Sequence, residues 1–357
     1  MNHDENKHKF AEVFTPPELV KEILEKIETN KRIYEPGVGK GAFLEQINNF
    51  QSYDGCEINP TKELESKLNK TNIFYGDFFN HTLKEYDLVI GNPPFYQDGF
   101  KGPPCAKTRK GKTIWPQIVK RCWDHLAPNG ILAMVLPCIW LKPDKENIYN
   151  LFTEHQILYL RVYTCVESNK LFKYKAQTPC CYVIVQKTKR KEFEPNVMKI
   201  YDQSNNKFVS FTLKPGYCIP TQNAELIQSF KPSMKINPIK IAFIKKELET
   251  NLVKEPKMND HMYPLITTYK DTIYGYESIE PGKYQGIPKI IMAHKTFPIL
   301  FLDKEGTYGL YGRDKYIFIG PNLMEQYEYL SQPIVQKIIK SFTVRMNFIE
   351  KDIFKAG

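Results

Sequence analysis

The stretch RIYEPGVGKGAFLEQINNFQSYDGCEINP, residues 32–60, reads as a strand, a glycine-rich turn, a helix and a second strand. Gly37, Gly39 and Gly41 punctuate the turn, where an absent Cβ lets the backbone come close to a bound molecule. The spacing is GxGxG, distinct from the dinucleotide GxGxxG. Outward from it the same rhythm continues: NIFYGD (72–77), YDLVIGN (86–92) and GILAMVLP (130–137) are further apolar runs, with PTKELESKLNK (60–70) and WPQIVKRCWDHL (115–126) at helical spacing between them. Repeated strand–helix units predict a parallel α/β sheet with helices on both faces. ILYLRVY (157–163) and CCYVIVQK (180–187) predict two more strands at the sheet's end.

After the basic run KTKRKE (187–192) the rhythm stops, and the chain becomes rich in Pro, Gly, Tyr and Lys with short irregular strands. The division expected is residues 1–200 as one domain and 201–357 as a second, of mixed α+β structure, with helices over 321–354. The chain has 357 residues, 42% of them hydrophobic, enough to bury such cores. The eight cysteines form no CxxC pair, which argues against both a zinc ribbon and a disulfide scaffold, and no metal is expected. No apolar run is long enough to span a bilayer and no secretion signal opens the chain, so a soluble, intracellular protein is expected. The net charge of +10, shared evenly between residues 1–200 and 201–357, suits a polyanion held between two lobes.

The candidate chemistry lies at strand ends. Glu57 closes the second strand, where a carboxylate can accept hydrogen bonds from both hydroxyls of a ribose; the plain alternative is a solvated strand-end acid. Asp77 closes the third, where it could accept from an adenine amine while Phe78 covers the ring. YDLVIGNPPF (86–95) ends a buried strand abruptly at the edge where open α/β sheets bind ligands. Pro93 and Pro94 fix the backbone, so that the Asn92 side-chain oxygen and the Pro93 carbonyl can both accept from one amino group while Phe95 stacks on the ring that bears it. Drawing both N–H hydrogens to acceptors favours a pyramidal nitrogen whose lone pair can meet a methyl donor.

FTPP (14–17), EPGVGKGAFL (35–44), CEINP (56–60), GDFF (76–79) and GNPPF (91–95), in that order, resemble the motif series of the gamma-class amino-methyltransferases of DNA. The resemblance covers about residues 11–190 and includes LAPNGILAMVLP and the strand after LFKYKAQTP. It implies a Rossmann-like methyltransferase sheet, S-adenosylmethionine as cofactor and N6 of a flipped adenine in double-stranded DNA as the target. By this likeness Phe14, Thr15, Glu35, Gly37 and Gly39 hold the methionine part of the cofactor. Glu57 and Ile58 take its ribose and adenine, Asp77 and Phe78 its adenine, and Trp115 and Ile118 line the adenine pocket. Asn92, with Pro93 and Pro94, is the catalytic turn; Phe95 stacks on the target, and Phe172 matches an aromatic on the base's other side.

Residues 201–357 occupy the place where the class carries target recognition. There GTYGLYGRDKYIF (306–318) interleaves Tyr308, Tyr311, Arg313, Lys315 and Tyr316 as candidate DNA contacts. Past the catalytic turn, Lys101, Lys107, Arg109, Lys110 and Lys112 stand among glycines and prolines with no acid from Gly99 to Ile118, and are expected to grip phosphates. The chain opens at the Thr-Pro motif, so it is expected to act alone or beside a separate restriction endonuclease, with no membrane partner. Two other readings stay open: a protein glutamine or RNA methyltransferase, and an inactive DNA-binding subunit.

Overall fold

The computed structural model describes residues 13–65, 71–97, 112–173, 179–189, 194–241, 252–253, 263–269, 272–294, 299–312, 314–343, 349 and 353–354. The chain divides into two compact units, Met1–Gly216 and Tyr217–Gly357.

The first unit is built on nine strands: β1 (Arg32–Pro36), β2 (Ser52–Glu57), β3 (Thr71–Tyr75), β4 (Tyr86–Gly91), β7 (Leu126–Pro137), β8 (Gln156–Tyr163), β9 (Cys180–Gln186), β10 (Asn196–Asp202) and β11 (Lys207–Leu213). A small ribbon of β5 (Tyr96–Gln97) and β6 (Lys112–Thr113) lies outside the sheet. The sheet order is β11-β10-β8-β9-β7-β4-β1-β2-β3. Strands β3, β2, β1, β4 and β7 run parallel, and β9 enters antiparallel between β7 and β8. Leu88–Ile90 and Cys181–Val185 are wholly buried, as strands covered on both faces must be.

Helices α1 (Pro17–Leu24) and α2 (Ala42–Gln46) cover one face, packing Leu19, Val20, Ile23, Phe43 and Leu44 on Ile33, Leu88, Ile90 and Ala133. Helices α4 (Trp115–Asp124) and α5 (Ile148–Thr153) cover the other, joined by the Trp123 and Phe152 rings; α3 (Lys62–Glu65) follows β2, and α6 (Cys165–Leu171) opens on a capping box between Thr164 and Glu167. The order reverses between β1 and β4, so the carboxyl ends of these strands flank a topological switch point.

The boundary expected at 200/201 is corrected. Strand β10 spans it, pairing with β8 on one side and with β11 on the other, so the sheet ends only after residue 213. The signal was visible as alternation: NVMKIYD and KFVSFTL bury every second residue, the pattern of an edge hairpin.

The second unit has two four-stranded sheets, one of order β12-β19-β16-β17 and one of order β13-β15-β14-β18. The first comprises β12 (Ile239–Ile241), β16 (Lys289–Ala293), β17 (Leu300–Asp303) and β19 (Lys315–Phe318); the second comprises β13 (Leu252–Val253), β14 (Tyr263–Tyr269), β15 (Ile273–Ser278) and β18 (Gly309–Leu310). One face of the first sheet packs Ile290, Met292, Tyr316 and Phe318 with Tyr329, Leu330, Val335 and Ile339 of two helices, Leu323–Ser331 and Pro333–Lys340. Its other face packs Ile241, Ile291 and Ile317 on Ile266 and Leu310 of the second sheet. The helices fall within the expected 321–354.

A second correction concerns the proposed DNA-contacting stretch. Lys315 and Tyr316 lie within β19 and are interior: Lys315 is 1% exposed and donates to the Tyr311 carbonyl at 2.8 Å, and the Tyr316 hydroxyl donates to the Ile349 carbonyl at 2.8 Å. Burial pushes the Lys315 amine down to about 8. Tyr308 and Tyr311 are half-buried, and Arg313 lies outside the described residues. A second interior lysine, Lys289, pairs with Asp303 at 2.6 Å across β16 and β17, and that carboxylate also accepts from the Thr307 and Tyr308 amides. Buried charge here is spent on fixing a hairpin.

Candidate active site

Four strand ends and one helix approach meet at the switch point. Strand β1 delivers Glu35 and then the glycine turn, where Gly37 has φ +82° and a Cβ on it would stand 3.2 Å from Cδ of Pro94. The glycine turn and the Asn92-Pro93-Pro94-Phe95 turn therefore pack closely at this point. Gly91, before Asn92, has φ +152°, and a Cβ there would meet Cγ of Glu35 at 3.3 Å. A residue pressed against the neighbouring strand at that φ favours glycine.

Glu57 turns back toward the glycine loop. Its Oε2 accepts from the Gly39 amide at 2.6 Å and its Oε1 from the Asn59 amide at 2.8 Å, which fixes the carboxylate beside the turn. Ile58, next to it, is 52% exposed, an apolar surface at the strand end. Asp77 accepts from the Phe79 amide at 2.9 Å, capping the short turn Phe78–Asn80. Phe78 departs from the expectation: it is buried beside Tyr34 and beneath the Arg121 guanidinium, 5.1 Å from the ring centre, and Phe79 is the exposed aromatic of the pair.

Glu35 is 2% exposed and accepts from the Tyr53 hydroxyl. Burial holds its carboxyl well above the usual glutamate range; the Tyr53 hydrogen bond opposes that shift and the charge of Glu57 adds to it. Tyr53 gave no functional signal in the sequence, because it reads as one more apolar strand residue.

The Thr-Pro segment closes the site from the side. The Asn92 side-chain Nδ2 donates to the Val13 carbonyl at 3.1 Å. A Cβ on Gly39 would lie 3.5 Å from Cδ1 of Phe14, and the Lys40 ammonium sits 5.0 Å from the centre of the Phe14 ring. Thr15 is half-buried, just before α1. Pro93 is buried and Pro94 and Phe95 are half-buried. The Phe95 carbonyl accepts from the Ile114 amide at 3.1 Å, and Tyr96 pairs with Thr113, so the chain leaves and re-enters the site at one point. Lys101, Lys107, Arg109 and Lys110, between those ends, lie outside the described residues; Lys112 in β6 is exposed.

Three of the expected site residues are buried. Phe172 is 5% exposed and packs in the main core with Tyr163 and Cys180. Trp115 and Ile118 are likewise buried, on the inner side of α4.

Residues 24–172 match the family described as Eco57I restriction-modification methylase. A type II methyltransferase, M.CvrRI, of Paramecium bursaria Chlorella virus XZ-6E is 36% identical over 137 residues, covering 35% of this chain and 35% of that protein. The type II restriction enzyme and methyltransferase RM.Eco57I of Escherichia coli is 24% identical over 308 residues, 81% of this chain and 29% of that one. The chain thus spans about a third of the length of the curated relatives it matches. A crystal structure of the type I restriction-modification methyltransferase subunit from Streptococcus thermophilus aligns with 17% identity and a TM-score of 0.39, over 56% of this chain and 50% of that one. Among the described residues no helix is long and apolar enough to cross a membrane. Over residues 24–172 the chain is thus similar to the Eco57I restriction-modification methylase family, in keeping with the gamma-class resemblance carried by its motif order.

Proposed function

We propose that the chain is a site-specific DNA methyltransferase that moves a methyl group from S-adenosylmethionine to N6 of an adenine flipped out of double-stranded DNA. The observation that carries this reading is the contact of the Asn92-Pro93-Pro94-Phe95 turn with the glycine turn at the switch point. A planar amine held by the first would lie beside a ligand held by the second. The cradle suits the cofactor: a glycine whose Cβ would crowd Pro94, a second at positive φ beside Phe14, a carboxylate fixed beside the loop, and an exposed isoleucine next to it. When bound, the cofactor supplies an activated methyl group. Asn92 Oδ1 and the Pro93 carbonyl accept the amine's two hydrogens, Phe95 stacks on the base, and the amine lone pair is thereby turned out of conjugation. Residues 1–216 would carry this chemistry and 217–357 would recognise the DNA sequence. An intracellular setting, where DNA and cofactor meet, and a cognate restriction endonuclease as partner complete the proposal. Sequencing modified bases in DNA from cells expressing the chain tests it: N6-methyladenine in one sequence context is the expected result, and unmodified DNA with methylated RNA or protein would overturn it.

Two predictions follow from the cofactor half of the site. Removing the carboxylate in Glu57→Ala should weaken S-adenosylmethionine binding about tenfold or more, as expected when roughly 1–3 kcal/mol of hydrogen bonds to a charged group is lost. Calorimetry with unchanged affinity would place the ribose elsewhere. Glu35 is the partner we assign to the cofactor's ammonium. Its raised pKa means that the free protein holds a proton there above the ordinary glutamate range, and an arriving cation should expel it. Binding should therefore release a proton and strengthen as pH rises toward the raised value. Titration calorimetry in buffers of different ionisation enthalpy reads the release directly, and Glu35→Gln should abolish it.

A further inference from the structure

We infer that the backbone carbonyl of Val13 is a positioning group that sets the reactive orientation of Asn92, an inference that rests on Asn92 being the acceptor for the target amine. A carboxamide is nearly symmetric in shape, and packing alone scarcely distinguishes its oxygen end from its nitrogen end. Hydrogen bonding does. A carbonyl only accepts, so the end of Asn92 that faces Val13 must be the NH2, and Nδ2 lies 3.1 Å from the Val13 oxygen. The remaining end is then Oδ1, the atom that a target amine needs. The reversed rotamer would set two acceptor oxygens against each other.

The carbonyl can do this because it is itself held firmly. Pro16 and Pro17 lead into α1, whose Leu19, Val20 and Ile23 are buried in the sheet's core. On the same helix, Glu22 accepts from the Arg161 guanidinium at 2.6 Å and from the Tyr182 hydroxyl at 2.7 Å, tying it to β8 and β9. The Gln46 amide donates to the Pro17 carbonyl at 3.0 Å, tying it to α2 below the glycine loop. Val13 thus presents a fixed acceptor to a side chain 79 residues away. Phe14, the next residue, rests on Gly39, so the same two residues touch both the glycine turn and the catalytic amide.

The test replaces Asn92 by Asp and reads the new carboxyl by 13C NMR after selective labelling. Only the protonated carboxyl can donate to Val13, so its midpoint should lie at least about one unit above the ordinary aspartate value of ~3.9. Among the described residues, the other charged groups around the site are Glu35 on β1 with its Tyr53 hydroxyl, Glu57 on β2, Asp77 after β3, and Lys40 on the glycine loop with its partner Glu63. Glu35 lies against Gly91, the residue before Asn92, so the shift must persist in a Glu35→Gln background. Single-turnover methylation by Asn92→Asp should rise as pH falls through that midpoint. A midpoint at or below the ordinary value, or a shift that vanishes with Glu35→Gln, overturns the inference. A second measurement leaves every side chain in place: a backbone ester in place of the Val13–Phe14 amide makes the Val13 carbonyl a poorer acceptor. It should slow single turnover about fivefold, the worth of one neutral hydrogen bond, at unchanged cofactor affinity. An unaltered rate overturns the inference. Because the carboxyl titration needs no turnover, failure of the methyltransferase reading, seen as a wild-type chain inactive on DNA, stays separate from failure of this one.

Discussion

Asn92→Ala is expected to abolish methyl transfer while leaving S-adenosylmethionine binding close to normal. The side chain stands on the NPPF turn and is anchored through Nδ2 to Val13, whereas the cofactor is assigned chiefly to Glu35 and Glu57. Alanine deletes the oxygen that would draw one hydrogen of the target amine out of the ring plane. Preorganised polar groups of this kind are worth about 10²–10³ in rate each, and here the lost group also orients the nucleophile. Single-turnover assays should therefore fall by at least about 10²-fold. Calorimetry should show cofactor affinity changed far less. The Val13 carbonyl would be left without the Asn92 donor, a cost that appears as a modest drop in thermal stability. Near-normal turnover in this variant would remove Asn92 from the chemistry and the NPPF turn from the centre of the site.

The sheet was legible because its strands are buried on both faces and so read as apolar runs: RIYEP and YDLVIG fall on β1 and β4 almost residue for residue. The NPPF turn was legible because two prolines after a buried strand have few structural uses. Other features depend on tertiary packing that a one-dimensional pattern does not carry. Phe172 and Phe78 match motif positions, yet each is claimed by the core, since an aromatic near a strand or helix end can turn either way. Lys315 and Tyr316 looked like a basic, aromatic surface because charge and hydroxyl groups usually face water. Their burial depends on the carbonyls of Tyr311 and Ile349, which the sequence places four and 33 residues away. The Val13 contact had no side-chain signal at all, because its acceptor is a backbone atom.

Ending the chain at Gly216 should leave cofactor binding intact and eliminate sequence-specific DNA binding and nearly all methylation. Every residue assigned to cofactor or catalysis precedes that point, and residues 1–216 form a compact unit of their own with a complete nine-stranded sheet. Reading bases in duplex DNA needs a surface besides the pocket that holds one extruded adenine. Tyr217–Gly357 forms a second compact unit, to which that surface is assigned. The cut site matters. A chain ending near Lys191, at the basic run, would lose β10 and β11 and bare the edge of β8, whose partner in the sheet is β10. An uncovered strand edge invites association, so the shorter chain should aggregate where the longer one stays monodisperse. Light scattering on the two proteins, calorimetry with S-adenosylmethionine and methylation of a duplex that carries the full chain's site make the comparison. If a well-folded chain ending at Gly216 still methylated that one sequence, recognition would reside in the first unit, in segments such as the basic stretch between Gln97 and Lys112, and the second unit would need another role.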